Sequence, residues 1–516
     1  MKPYLQDLVK LAIKEQPQNA VQLRTVKGVI AKENNIGMPT NSEMLEAYRF
    51  LLEKGEIKED ENLFKLMRKR DVRTLSGVAV ISVLTKEYPC PGKCVYCPTE
   101  KGMPKSYLSN EPAVMRAVVC EFDPFKQVSL RLKALYNNGH PTDKCELIVM
   151  GGTWSCLPIE YQEEFLKRCY DGFNGKEAKD LEEAKKKNEK ADHRVVGLTL
   201  ETRQDHVDEA EVERMRNYGA TRVELGVQTV YDDILKLNKR GHSVQETIRA
   251  TKLYKDAGFK VTYHLMPNLP GSDLDRDYEM FKEVFSNPDF QPDQIKIYPC
   301  VVVKGAELYD WWKTGKYKPY TTEELVQLLT RVKKEIIPPY VRIARLIRDI
   351  PQESIEAGST VSNLRQLLAN EGVKCKCIRC REPKDKNLDL SKAEFKIREY
   401  EASGGKELFI SYESPDEDYI YAFCRLRLIG EGGNCDSRLQ CAYIRELHTY
   451  GQMMKLNAAK KDVQHFGFGK KLLQKAEEIA KENKYKKLFV ISGVGVRDYY
   501  QKLGYNLEDN YMVKNI

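Results

Sequence analysis

Apolar runs recur six times between residues 76 and 300, at 77–84, 145–150, 195–200, 222–227, 260–265 and 294–298, with amphipathic segments between them. Such strand–helix alternation predicts a parallel sheet with helices outside, curled into a partial (β/α)6 barrel. Upstream, Tyr4-Leu5, Leu8-Val9 and Leu11-Ala12-Ile13, then Met44-Leu45, Tyr48 and Leu51-Leu52, repeat at helical spacing and predict a small helical module. Downstream of about 392 the pattern changes. Leu408–Tyr412 and Tyr419–Leu428 read as a hairpin, Ala442–Thr449 and Leu488–Ser492 as strands, Lys471–Asn483 as a helix, and Asp498–Tyr505 as a short helix and turn. The lysine- and glutamate-rich insert 175–190 reads as an exposed helix without chemistry. The fold class is α/β, divided into a helical module over 1–75, a barrel domain over 76–370, a cysteine-rich linker over 371–391 and a mixed α/β domain over 392–516.

The polar oddities fall just after the predicted strands: Cys90, Gly151-Gly152-Thr153, Glu201-Thr202-Arg203, Gln228, Met266-Pro267 and Tyr298-Pro299. Ligands on parallel sheets bind at the carboxyl ends of strands, so these positions converge on one mouth. Cys90, Cys94 and Cys97 are spaced C-x3-C-x2-C behind the first strand. That spacing suits three corners of a [4Fe–4S] cluster whose fourth iron stays free for S-adenosylmethionine (SAM), the signature of radical SAM chemistry. A zinc knuckle or a chance thiol cluster is the alternative, but zinc needs a fourth ligand, and the nearest downstream histidine is His140. Gly151 and Gly152 let backbone approach the SAM amino group closely, although an ordinary turn would also use them. Glu201 suits ribose hydroxyls and Arg203 a carboxylate.

In the last domain Gln464, Gly467 and Gly469 form a Q-x-x-G-x-G loop ahead of a helix, a cradle for a pyrophosphate. The Tyr-Tyr-x-Lys-x-Gly-Tyr element at 499–505 follows at the distance seen in acetyl-CoA-binding GNAT acetyltransferases. A tyrosine near the thioester, Tyr500, can then donate a proton to the leaving thiolate. Between the domains, Cys375, Cys377 and Cys380 supply three zinc ligands, with His193, His206, His264 and Cys300 as candidates for a fourth. A structural zinc staple, a second iron–sulfur cluster and unliganded thiols all remain open. Lys65, Arg68, Lys69, Arg70 and Arg73 form a basic stretch that is either a solvated face or a contact for nucleic-acid phosphates.

At 516 residues the chain is too long for one core. Its net charge of +8 permits nucleic acid without requiring it. No apolar run is long enough to span a bilayer, and the opening Met-Lys-Pro-Tyr leads into an amphipathic helix rather than a signal sequence. Six of the fourteen cysteines sit in the two tight clusters, a usage that fits a reducing cytoplasm.

The whole set resembles the catalytic-subunit family of the Elongator complex, tRNA uridine-34 carboxymethyl synthases that join a radical SAM barrel to a GNAT domain. The resemblance is carried by Glu111-Pro112 with Met115-Arg116-Ala117, Phe122-Asp123-Pro124-Phe125, Ile148–Thr153, Glu201-Thr202-Arg203, Arg240-Gly241-His242, Arg348-Asp349-Ile350-Pro351, Arg445-Glu446-Leu447-His448 and Ile491–Gly495. It implies that a deoxyadenosyl radical takes hydrogen from the acetyl-CoA methyl, that the carbon adds to C5 of the wobble uridine, and that thioester hydrolysis leaves a 5-carboxymethyl group. Carried over by position, acetyl-CoA contacts fall on Lys144, on Glu446, Leu447, His448 and Thr449, on Phe468, Gly469 and Lys470, and on Tyr500. Lys144 would make the cofactor bridge the domains; without the resemblance it reads as a surface lysine before a strand. The Cys-rich linker and compact first cluster look like the archaeal or bacterial form, which implies action alone, or as a homo-oligomer, without the larger complex. Gln204 stands where the family often has proline, which puts local backbone rigidity in question. The rival readings are a protein lysine acetyltransferase with a structural radical SAM domain, a radical tRNA methylthiotransferase, and a non-catalytic tRNA-binding scaffold. The second would need an upstream cysteine cluster, and residues 1–89 contain no cysteine.

Overall fold

The computed structural model describes residues 1–68, 77–383, 389–430, 441–450 and 467–516. All six expected barrel strands form: β1 Ala79–Leu84, β2 Lys144–Met150, β3 Arg194–Thr202, β4 Arg222–Gln228, β5 Lys260–Leu265 and β6 Gln294–Ile297. A two-residue β7, Val302–Val303, pairs with β9, Ile355–Ala357, beside them. The sheet gains a seventh parallel strand, β8 Arg342–Arg345, in the order β1-β2-β3-β4-β5-β6-β8. Only one face of β8 is buried and it spans four residues, so its sequence carries no apolar run.

Alternation along these strands divides the sheet into two unlike faces. Ile81, Val83, Leu147, Val149, Leu198, Leu200, Val223, Leu225, Val261, Tyr263 and Ile295 pack under the outer helices in one core. The residues between them, Glu146, Thr199, Glu201, Arg222, Glu224, Lys260, Thr262, His264, Gln294 and Lys296, line the concave side. Their registers, Thr199↔Arg222↔Lys260 and Glu224↔Thr262↔Gln294, stack them in layers. A lumen lined this way is a chamber for polar ligands and not a packed core.

The last domain is a second seven-stranded sheet, built from β10 Glu394–Ala402, β11 Gly405–Glu413, β12 Ile420–Leu428, β13 Ala442–Thr449, β14 Lys487–Val490, β15 Asn506–Glu508 and β16 Tyr511–Asn515. The expected hairpin is β11–β12, antiparallel. The edge strand β10 and the terminal hairpin β15–β16 were not foreseen. One face packs on the helix Phe468–Glu482 through Leu408, Cys424, Leu426, Ile444 and Leu472. The other face packs against the half-barrel. A bulge between Arg425 and Leu426 breaks the period of two, so that the consecutive residues Arg445 and Glu446 both face the barrel.

Helices Pro3–Glu15, Ala20–Glu33, Asn41–Glu53 and Glu61–Met67 form the N-terminal module around its own core. It docks on the helix Pro124–Asn137, with Arg49 over the Tyr136 ring at 3.7 Å. The insert at 175–190 departs from expectation. Its helix Leu181–Asn188 buries Ala184, Lys185 and Asn188, and the Lys185 ammonium donates to the Asn217 carbonyl. A lysine's long stem lets a charged residue face a packed surface, which charge pattern alone does not reveal. Among the described residues no helix is long and apolar enough to cross a membrane. Among the described residues twelve cysteines are free thiols, and Cys441 departs from that pattern by being disulfide-bonded.

Candidate functional site

The carboxyl ends of β1 to β6 carry the residues that the sequence aimed at one mouth. Cys90, Cys94 and Cys97 are half-buried free thiols on the loop after β1. That loop is braced on three sides: Val95 N–H donates to the Asn238 carbonyl at 3.2 Å, Leu308 N–H to the Val95 carbonyl at 2.8 Å, and Thr99 N–H to the Gly305 carbonyl at 3.2 Å. Burial, then Cys94, pushes the Cys97 thiol up to about 11. A metal that displaces the proton would relieve this.

Around the loop stand buried cationic groups with donors to spare. Arg203 is held by Asp205 at 2.9 and 2.5 Å and by the Arg240 carbonyl at 3.0 Å, but its Nη1 has no partner. The carboxylate read for Arg203 is thus Asp205, and only the third nitrogen remains for a ligand. A Cβ on Gly92 would collide with that nitrogen, so the loop approaches Arg203 as closely as backbone can. Three thiols flanked by unsatisfied guanidinium nitrogens fit an anionic iron–sulfur cluster. Gly151 and Gly152 have φ of +133° and +102°, and a Cβ on Gly151 would strike Thr85 Oγ1, itself buried without a partner. Gly151 is therefore needed for the close approach of this turn to Thr85. Gln204, in place of the family's proline, is fixed by its side chain instead, which donates to His242 Nε2 and Thr247 Oγ1, each at 3.2 Å.

Below the mouth, Glu201 accepts from the Tyr107 hydroxyl at 3.1 Å and lies 3.7 Å from His264 Nδ1. His264 Nε2 meets Glu224 at 2.9 Å, and Lys296 closes on the same carboxylate. Burial alone would raise Glu224, but Lys296 and His264 outweigh it and hold the carboxyl well below its usual range. At the amino end of the strands Glu146 pairs with Arg222 at 2.8 Å. Of these lumen residues the sequence singled out only Glu201, for ribose hydroxyls, and His264, as a candidate zinc ligand; Arg222, Glu224 and Lys296 were missed as site residues. The signal was present in Arg222-x-Glu224, Lys260-x-Thr262-x-His264 and Gln294-x-Lys296, polar positions alternating with apolar ones in strands that a helix-covered sheet should bury.

The GNAT-like sheet sits at the opposite, amino end. Lys260, first in β5, pairs with Glu446 at 3.4 Å; Arg342, first in β8, donates to the Tyr450 hydroxyl at 3.3 Å; and a Cβ on Gly493 or Gly495 would meet the backbone of Arg194–Val196 at the start of β3. Lys144, first in β2, is register partner to Arg194 and therefore lies at this same end. Beyond Ile444 β13 pairs with β12 alone among the described residues, because β14 ends at Val490. Glu446, Leu447, His448 and Thr449 thus keep a backbone edge open to a ligand arm. His448 stacks on Phe423 and lies tilted against Tyr450 with ring centroids 4.4 Å apart, its Nε2 is buried without a partner, and burial lowers its pKa.

Gly467, with φ +67°, begins the helix Phe468–Glu482 without a side-chain cap, leaving the first N–H groups of Phe468, Gly469 and Lys470 for an anion. Gln464 lies outside the described residues. Tyr500 is buried in the sheet–helix core between Tyr499 and Tyr505, and burial raises its pKa. Its neighbour Tyr499, not singled out by sequence, brings its hydroxyl within 3.5 Å of where a Gly469 Cβ would stand.

Cys375, Cys377 and Cys380 bring their sulfurs within 4.8 Å of one another, and among the described residues no fourth ligand joins them. Hydrogen bonds from Cys375 and Cys380 hold the Cys377 thiol well below its usual range. The four candidates for a fourth ligand are elsewhere: His193 is bonded to the Thr142 carbonyl, His206 is beside Asp205, His264 is in the lumen, and Cys300 is in a small core with Tyr317. Each was separated from the triad by a topology that spacing does not encode. In the basic stretch, Lys65 pairs with Glu61 at 3.2 Å and Arg68 packs over Phe64, while Lys69, Arg70 and Arg73 lie outside the described residues.

The chain matches the family models "Radical SAM superfamily" over residues 89–284, "Radical_SAM C-terminal domain" over 292–373 and "Acetyltransferase (GNAT) family" over 380–505. It is 48% identical over 498 residues to a tRNA uridine(34) acetyltransferase of Methanocaldococcus jannaschii, covering 93% of this chain and 91% of the relative. It is 39% identical over 483 residues to Elongator complex protein 3 of Homo sapiens, covering 88% and 86%. A solved structure of the archaeal Methanocaldococcus infernus Elp3 with N-terminus deletion (1–46) is 44% identical, with a TM-score of 0.74, and covers 86% of this chain and 100% of that one.

Proposed function

This chain belongs to the family of tRNA uridine(34) acetyltransferases and Elongator complex protein 3, and from that premise we propose that it builds a 5-carboxymethyl group on the wobble uridine of tRNA from acetyl-CoA. The observation that carries this reading is the placement of two unlike sites at the two ends of one polar lumen: a thiol loop at the carboxyl end and a GNAT cradle at the amino end. A plain acetyltransferase has no use for that connection.

Cys90, Cys94 and Cys97 would hold the [4Fe–4S] cluster, which when bound would supply the electron for reductive cleavage of SAM to a 5′-deoxyadenosyl radical. Gly151 and Gly152 give the SAM amino group a backbone approach, Glu201 takes ribose hydroxyls, and Arg203 Nη1 is the free donor for the SAM carboxylate. At the other end, Gly467, Phe468, Gly469 and Lys470 bind the coenzyme pyrophosphate. Glu446, Leu447, His448 and Thr449 pair with its pantetheine arm, and Lys144 meets it from the barrel. Tyr500 donates a hydrogen bond or proton as the thiolate leaves, contributing about 10²–10⁴-fold. The lumen walls exclude bulk water from the acetyl group. Cys375, Cys377 and Cys380 would hold a Zn²⁺ ion, which would supply a structural staple between the two domains; its presence is checked by metal content in the parent and in Cys377→Ala.

The positive stretch at Lys65, Arg68, Lys69, Arg70 and Arg73 contacts tRNA phosphates. Neutralising Lys65 and Arg68 together should lessen the salt slope of tRNA binding by about 0.9 per lost contact. An unchanged slope moves the tRNA elsewhere. The enzyme works in a reducing cytoplasm, alone or as a homo-oligomer. The deciding experiment is mass spectrometry of nucleosides from tRNA incubated with the reconstituted protein, SAM, acetyl-CoA and a reductant. Carboxymethyluridine that requires all three supports the reading. Acetylation of protein lysines without iron, and no nucleoside product, would establish the rival acetyltransferase.

A further inference from the structure

Arg240 is nearly fully buried, and no carboxylate lies within ion-pair distance of it among the described residues. A guanidinium in that position is costly unless an anion answers it. One arm, Nη2, donates to the Gly226 carbonyl at 2.6 Å. The other, Nη1, reaches the Cys94 sulfur at 3.4 Å. Nε has no partner. The surrounding chain is shaped for this reach. A Cβ on Gly226, in the middle of β4, would collide with the Arg240 guanidinium, so the strand carries glycine where packing would favour a larger residue. The turn leading to Arg240 puts Lys239 at φ +53°, a left-handed conformation that costs a non-glycine residue energy. The same turn's Asn238 carbonyl accepts from Val95 in the cysteine loop, so Arg240 and the loop are held to one another by two bonds.

We propose that Arg240 is a positioning residue that donates a charge-assisted hydrogen bond to the Cys94 thiolate and thereby raises the reduction potential of the cluster. The inference rests on the assignment of Cys90, Cys94 and Cys97 to that cluster. Three thiolates leave the assembly anionic, and uptake of one electron from an external reductant adds a further negative charge. A fixed guanidinium beside one sulfur stabilises the reduced form more than the oxidised one, since hydrogen bonds to the sulfurs and local charge set such potentials. Arg203 does not duplicate the role, because Asp205 already neutralises it.

The test uses the full chain, reconstituted anaerobically, with iron and sulfide counted before each titration. Parent, Arg240→Lys and Arg240→Gln are poised with a one-electron titrant, and the reduced cluster is followed by electron paramagnetic resonance. Arg240→Gln should keep its iron while the ratio of reduced to oxidised cluster at a fixed poise falls about tenfold, a midpoint lower by ~59 mV for a one-electron couple. Arg240→Lys keeps the charge but cannot span both Gly226 and Cys94, so its midpoint should fall between the two. A purely structural arginine would change iron content and leave the potential alone. Should Arg240→Gln take up no cluster, Arg240→Lys decides by the same criterion. A loaded variant with the parent's midpoint overturns this inference alone; a parent that binds no cluster overturns the cluster assignment with it.

Discussion

The half-barrel and the GNAT sheet each have seven strands, an apolar face under helices and a face rich in charge, yet their charged faces have opposite fates. On the GNAT sheet that face is sealed. Arg445 binds Asp293 and Glu407, Arg427 binds Asp256 and Glu407 at 3.1 and 3.0 Å, and Arg425 binds Glu446 at 2.9 Å. Glu407 and Arg445 are at most 1% exposed, and every acid there faces more than one cation. In the barrel the charged face opens only toward its two ends, where Glu201 and Glu146 are 22% and 20% exposed at the side chain, while Glu224 between them is 1% exposed. Charge that is closed in and matched fixes how two domains dock; charge left reachable from solvent is available to ligands. The first kind buys orientation more than stability, since a buried ion pair barely repays its own desolvation.

The comparison can be broken at several points. The greatest effect is expected from Cys94→Ala, at the open end. Formation of 5′-deoxyadenosine should fall to background while the unfolding transition stays in place, because the thiol is only half-buried. Persistent 5′-deoxyadenosine would remove the chemistry from that end. Next is Arg445→Met in the sealed face. It takes from Asp293 and Glu407 the guanidinium that bonds both, leaving the more distant Lys255 as their shared cation, and should cost about 3–5 kcal/mol in denaturant unfolding. A loss near zero would mean that the seam is as well solvated as the lumen.

Lys296→Met sharpens the contrast. Glu224 is itself buried but keeps His264 and has Arg222 at 4.0 Å, so the loss should stay at about 1.5–3 kcal/mol, while nucleoside product falls. If Lys296 and Arg445 cost the same, the distinction between open and sealed charge disappears. The smallest effect concerns pH. Burial alone would raise the Glu446 carboxyl, but Lys260 and Arg425 outweigh it and bring it to about 2. That is below the unfolded value of about 4.3, so its contribution is complete above that pH and is lost as pH falls toward 2. Acid unfolding of Glu446→Gln should be correspondingly flatter between those values; a curve parallel to the parent's would show that Glu446 is not held by the seam.

Much of this was legible along the chain. The six apolar runs became six strands, and the residues after them lie at the carboxyl ends of those strands, because a sheet under helices needs an apolar residue at least at every second position and turns at fixed ends. The cysteine spacing and the glycine loop were equally local. Strand β8 was not legible, since four residues with one buried face leave no pattern. The insert 175–190 misled because its buried lysine looks like its exposed ones. Arg240 was visible as part of a motif, but its target is 146 residues away in sequence.

By itself, then, the sequence determined the six long barrel strands, the main elements of the last domain and their order, all of which follow from periodicity and spacing within a few turns of chain. Arg222-x-Glu224 and Arg425-x-Arg427 are the same signal at that level: charge alternating with apolar residues in a strand. Only the tertiary structure decided that the first pair lines a lumen and the second closes a seam. The β12–β13 bulge turns Arg445 and Glu446 together toward the barrel, and the packing of that face onto the amino ends of β5 and β6 removes its water. What a charge does depends on which partners and how much solvent surround it, and those are set by contacts between residues far apart in the chain.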